Sequence, residues 1–121
     1  MGEHIARYEN FGRYYNALGY YVYGMDHQGH GLSQGTRCYF EKFDYVIDDY
    51  IEYVKKVQNN FIKEEEDYKR SGNGKTLKSS LPCFLFGHSM GGLIAINVAY
   101  QCNKSSKISS SNKYFVLSFI N

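Results

Sequence analysis

Apolar residues recur near the start of the chain at steps of three and four: Ile5, Tyr8, Phe11, Tyr15 and Leu18 fall on one side of a 3.6-residue period. Gly19 follows directly and suits a left-handed cap, so the spacing predicts a helix over 5–18. Tyr20 to Met25 is aromatic and β-branched without a helical period and predicts a strand. It ends at Asp26, where His27-Gln28-Gly29-His30-Gly31 makes a glycine-rich loop. A longer stripe then runs through Phe43, Val46, Ile47, Tyr50, Ile51, Val54, Val57 and Phe61, with Asp44, Asp48, Glu52, Lys55, Lys56 and Asn59 on the other faces. That pattern predicts a long amphipathic helix.

Residues 63–80 turn polar, with Glu64-Glu65-Glu66 and Ser71-Gly72-Asn73-Gly74, and are expected to form a mobile surface insertion, in part an extended end of the preceding helix. After Pro82, the short run Cys83-Phe84-Leu85-Phe86 has no polar alternation, as expected of a central parallel strand. The stretch Leu93 to Tyr100 is apolar nearly all round, as expected of a buried helix. A serine- and lysine-rich loop, Asn103 to Asn112, precedes a last apolar strand, Tyr114 to Ile120. Helix, strand, helix, strand, helix, strand is the alternation of an α/β chain, with a mostly parallel sheet covered by helices on both faces.

Between the last helix and the strand before it stands Gly87-His88-Ser89-Met90-Gly91-Gly92. A serine hydroxyl is a poor nucleophile, so acyl transfer requires it to be held in the open beside a base and beside donors for the oxyanion. A sharp strand-to-helix turn meets those needs, with glycines admitting the tight path and helix N-terminal N–H groups close behind. Gly-x-Ser-x-Gly recurs by chance, and its weight here comes from the strand before it and the helix after it. Ser89 is therefore the candidate nucleophile and the backbone N–H of Met90 a candidate oxyanion donor. A dinucleotide-binding turn fits poorly, because Gly87 to Gly92 is not Gly-x-Gly-x-x-Gly and no following strand ends in an acidic residue.

The 121 residues, 43% hydrophobic, can form one small domain, and a net charge of +2 is too mild to imply nucleic acid. Cys38, Cys83 and Cys102 lack the close spacing of a zinc site or a disulfide framework and read as reduced thiols. No apolar stretch reaches the roughly 20 residues of a membrane span, and the first residues lack the core of a signal peptide. A cytoplasmic protein is expected, with no more than a peripheral membrane contact.

With the elbow in place, the chain resembles the monoacylglycerol lipase and lysophospholipase group of α/β-hydrolases, the serine aminopeptidase-like enzymes. Gly2-Glu3-His4 with Arg7-Tyr8 resembles the segment just after that family's oxyanion loop. Gly19-Tyr20 and Asp26-His27-Gln28-Gly29-His30-Gly31-Leu32-Ser33 resemble its next strand and loop, and Gly87 to Gly92 follows in the right order. The resemblance implies attack of Ser89 on a single-chain lipid ester, a lysophospholipid or monoacylglycerol, through an acyl-serine and without metal or cofactor. The second oxyanion N–H of the family falls at Met1.

The same resemblance exposes gaps. The family's acid and base follow the nucleophile, yet the 32 residues after Ser89 contain no Asp, Glu or His. His88 sits on the strand end, where successive side chains point to opposite faces, and is expected to face away from Ser89. His4, His27 and His30 are expected in structural or surface roles, and Asp26 with His27 and His30 does not match a metal-ligand spacing. A chain-terminal ammonium at Met1 is not a positioned amide. The expectation is a partial α/β-hydrolase domain over 1–121, from an oxyanion-loop remnant to the strand after the nucleophile helix, inactive on its own. A non-catalytic hydrolase-like remnant or pseudogene product is the alternative. In the family's strand order a missing strand lies between Tyr20–Met25 and Cys83–Phe86, so these two are expected to lack a ladder partner joining them.

Overall fold

The periodic stretch at the start folds as a 3-10 turn, Ile5–Tyr8, continued by helix α1, Glu9–Ala17. Gly19, at φ 84°, ends it, and the N–H groups of Leu18 and Gly19 bond back to the carbonyls of Tyr15 and Asn16. The computed structural model describes residues 2–72, 83–105 and 114–120. Its remaining elements are β1 (Tyr21–Gly24), α2 (Phe43–Arg70), β2 (Cys83–Ser89), α3 (Met90–Ser105) and β3 (Tyr114–Ile120). Helix α2 runs on through the first part of the polar stretch to Arg70, whereas 73–80 and most of the serine- and lysine-rich loop lie outside the described residues.

The core follows from the α2 stripe. Val46, Ile47, Tyr50, Ile51, Val54 and Val57 are buried and meet Ile94, Val98 and Cys102 of α3. Burying a large aliphatic side chain contributes about 1.5–3 kcal/mol, so this α2–α3 seam contributes substantially to stability. Tyr23, Met25, Leu85 and Met90 pack against it from the sheet side. Tyr53 of α2 donates its hydroxyl proton to the Gly24 carbonyl at 2.8 Å and so fastens α2 to the end of β1. On the opposite face α1 lies over the sheet: the Phe11 ring is 4.8 Å from that of Phe86, and Gly12 approaches Val22. Helices thus cover both faces of a parallel sheet.

The sheet order departs from expectation. The three strands run β1-β3-β2, all parallel, with Val22 opposite Phe115 and Phe84 opposite the same Phe115. The strands at Tyr21 and Cys83 therefore do share a ladder partner, because β3 enters the slot between them and satisfies the facing backbone groups of both. It also follows that β2 is an edge strand among the described residues, not a central one. Phe84 and Phe86 remain 42% and 37% exposed, consistent with a face only partly covered by α1. Helix α3 likewise is not buried all round: Ile94, Ala95 and Val98 face α2, while Leu93, Ile96 and Tyr100 face outward.

Candidate active site

Strand β2 ends on Ser89 and α3 begins on Met90, so the predicted nucleophile occupies the junction residue. Its φ is 56°, in the left-handed region that a residue with a side chain enters at a cost of about 1–2 kcal/mol. A strained backbone at an exposed hydroxyl is the signature expected of an elbow, in which the surrounding fold enforces a conformation the residue would not choose. The glycines serve closeness. A Cβ on Gly87 would stand 2.1 Å from the Gly91 carbonyl oxygen, and one on Gly92 3.4 Å from that of Gly87, so the strand end and the first helical turn are in backbone contact. Only glycine at 87 permits this turn.

Met90 is half-buried against the α2–α3 core, which fixes the start of the helix. Its N–H is among the first four of α3, which have no acceptor within the helix and point outward past its N-terminus. Ser89 and this amide thus stand together at the carboxyl end of the sheet, the edge at which open α/β sheets bind ligands. Across β3, Gly24 and Phe86 share the level of Leu117. The loop that leaves β1 at Asp26 therefore emerges beyond the same edge as Ser89. Met1, the third predicted site residue, lies outside the described residues.

That loop is tightly knit. The Asp26 carboxylate accepts the N–H of Leu32 at 2.9 Å and, from far back in the chain, that of Ile5 at 2.8 Å. The Ser33 hydroxyl donates to the Asp26 main-chain carbonyl. Gly31 lies against the carboxylate, where a Cβ would come within 2.0 Å of Oδ2. His30 is buried with its Nδ1 2.9 Å from the Gln28 carbonyl, and His27, 1% exposed, packs its ring on that of Tyr50. Burial pushes the His27 pKa down to about 4, with His30 adding to the shift and Asp26 opposing it. His88, in contrast, is exposed at the end of β2. Among the described residues no group of three His, Cys, Asp or Glu is placed to hold a metal ion. No helix among them is long and apolar enough to cross a membrane.

Sequence reasoning assigned Asp26 no role beyond a strand end, a place in the family-like loop and a rejected metal set. An aspartate opening a glycine-rich loop signals capture of a nearby backbone N–H. Nothing local signals the bond to Ile5.

The family profile described as serine aminopeptidase, S33, matches residues 1–112. Monoglyceride lipase from Homo sapiens is 36% identical over 100 residues, covering 83% of this chain and 27% of the relative. A monoacylglycerol lipase from Mycolicibacterium smegmatis is 30% identical over 90 residues, 74% of this chain and 26% of its own length. Caffeoylshikimate esterase from Arabidopsis thaliana is 33% identical over 87 residues, 72% of this chain and 22% of the relative. The chain spans about a quarter of the length of the curated relatives it matches. No solved structure matches it significantly.

Proposed function

Because the chain belongs to the serine aminopeptidase S33 family of hydrolases, we propose that Ser89 is the nucleophile of an ester hydrolase, with the N–H of Met90 as one oxyanion donor. The observation that carries this reading is the positive φ of Ser89 at the strand–helix junction, held by the contact of Gly87 on Gly91. The hydroxyl oxygen attacks the ester carbonyl, its proton passes to a base, the alcohol leaves, and water releases the acid from the acyl-serine. The carbonyl oxygen gains negative charge during attack, which the Met90 amide and the N-terminal end of α3 stabilise.

Single-chain lipid esters are the substrate class we infer, supported by relatives named monoglyceride lipase and monoacylglycerol lipase. Such esters are presented at lipid surfaces, so this reading carries a peripheral membrane contact by a cytoplasmic protein. We read 1–121 as a partial α/β-hydrolase domain with its polar insertion at 63–80. Supporting this are the parallel sheet, the helices on both its faces and the elbow.

A second reading takes these residues as a non-catalytic, hydrolase-like unit. A fluorophosphonate probe decides between them, with imidazole supplied as an external base. Serine hydrolases stripped of triad members keep about 10³–10⁴-fold catalysis over water through the oxyanion hole and binding. Slow labelling accelerated by imidazole and lost in Ser89→Ala is the expected result. A folded sample that labels no faster than urea-unfolded chain establishes the second reading instead.

A further inference from the structure

We propose that the cleft between α2 and the loop at the carboxyl end of β1 is a second ligand site, separate from Ser89, which takes the phosphate ester of a small amino alcohol. The cleft has a volume of about 700 Å³, within the range of small-molecule sites. Among the described residues, neither β2 nor α3 contributes to its walls, so it stands apart from the elbow.

The wall supplied by α2 changes sign along its length. Asp49 and Glu52 come first, Lys55 and Lys56 follow, and Asn59, Asn60 and Lys63 complete it. Glu52 and Lys56 are four residues apart, a rise of about 6 Å, in the order that favours pairing on a helix. Yet the ion pairs among the described residues join Arg7 to Glu3 and Arg13 to Glu9, and none joins these lysines to Glu52 or Asp49. The cleft therefore presents opposite charges at its two ends, neither matched by the other. Lys55 is half-buried, which reduces the solvent that competes for its ammonium group.

The other wall is preformed and has no donor to spare. Met25 packs on the α2–α3 core, the Ser33 hydroxyl donates to the Asp26 main-chain carbonyl, and the Asp26 carboxylate accepts the N–H groups of Ile5 and Leu32. Tyr53 meets Gly24 and Phe61 meets Tyr21, so α2 runs antiparallel to β1 and Asp26 stands at the Asp49 end of the cleft. An anion consequently finds its partners at the opposite end. A phosphate monoester has three strong acceptor oxygens and close to two charges, which three ammonium groups and two carboxamides suit better than a single carboxylate would. About one helical turn away, Asp49 and Glu52 suit a cation. An amine joined to phosphate through a short alkyl bridge satisfies both ends at once, whereas phosphate or an amine alone leaves one end unmatched.

The test follows the backbone amide resonances of the 121-residue chain during titration with phosphoethanolamine, inorganic phosphate and ethanolamine. Saturable shifts along Lys55 to Lys63 are expected, with phosphoethanolamine bound about tenfold or more tightly than phosphate or ethanolamine. Replacing Lys56 and Lys63 together, Lys56→Gln with Lys63→Gln, should weaken phosphoethanolamine by about tenfold or more. Glu52→Gln should weaken phosphoethanolamine and leave phosphate unweakened, a difference that a merely basic surface would not produce. Glu52, Lys56 and Lys63 are exposed, so unchanged urea midpoints verify that each variant is folded. The same ester occurs free and as a lipid headgroup, and vesicles of phosphatidylethanolamine in phosphatidylcholine separate the two sources. Sedimentation with vesicles that soluble phosphoethanolamine competes away assigns the headgroup, and soluble binding without sedimentation assigns the free ester. Absence of saturable shifts, equal affinity for phosphoethanolamine and phosphate, or a Glu52→Gln variant that binds phosphoethanolamine as the parent does overturns the inference.

Discussion

At the scale of single residues, Ser89 sets a strained backbone against the chemistry proposed for it. The flanking glycines lead one to expect that glycine takes the left-handed conformation of the turn, yet it is Ser89 itself that stands at φ 56°. Gly87 and Gly92 instead let the strand end touch the helix. The need for a tight turn was therefore legible in the spacing, whereas the residue that bears the strain was not, since only the path of β2 into α3 determines it. Glycine relieves a left-handed backbone worth about 1–2 kcal/mol but loses about 0.5–1 kcal/mol of chain entropy on folding. Ser89→Gly and Ser89→Ala both delete the hydroxyl, and only the first relieves the backbone. In urea titrations Ser89→Gly should be more stable than Ser89→Ala by up to about 1 kcal/mol. A glycine variant no more stable than the alanine one would mean that no strain resides there.

At the scale of elements, the loop from Asp26 to Ser33 shows what local pattern can and cannot tell. Its glycines mark a turn in the sequence, but the burial of His27 on Tyr50 and the bond from Ile5, 21 positions away, arise only when α2 and the N-terminal segment close over it. The long α2 stripe, by comparison, was readable residue by residue, because a single period of 3.6 specifies which side chains face the core. Burial of His27 makes the loop sensitive to acid. Its folded pKa is lowered to about 4, while in the unfolded chain it titrates near its ordinary value of about 6.5. Between those two values the unfolded chain binds the extra proton and the folded one does not, so stability declines as pH falls from about 6.5 toward about 4 and this contribution levels off below that. The full penalty is about 3 kcal/mol. Urea midpoints should drop between about pH 7 and pH 5, above the range in which most carboxylates titrate. His27→Phe, which retains a ring against Tyr50, should flatten that dependence. An equally steep curve in the variant would assign the acid sensitivity to other groups.

For the whole molecule, the alternation of helices and strands foretold a parallel sheet but not its order. All three strands are short apolar runs, and nothing within such a run says whether it has one neighbour or two. In the fold, β3 takes the centre, and the outer edges of β1 and β2 have no strand partner among the described residues. The same problem decides α3. Its sequence is apolar nearly all round, while α2 offers it a single face, so Ile94, Ala95 and Val98 are buried and Leu93, Ile96 and Tyr100 form an outer stripe, with Ile96 69% exposed. An exposed apolar stripe, together with strand edges that lack a strand partner among the described residues, favours association between copies. An apparent mass by light scattering that rises with protein concentration is therefore expected. Ile96→Lys should reduce it while changing stability by no more than about 0.5 kcal/mol, because the side chain touches solvent and not the core. Val98→Lys, two residues along on the buried face, should unfold the chain, since it places a charge in the apolar core shared by α2 and α3. If Ile96→Lys destabilised the protein as Val98→Lys does, α3 would be seated with its outer stripe covered in solution. The pair of substitutions therefore tests which face of α3 the molecule holds inside.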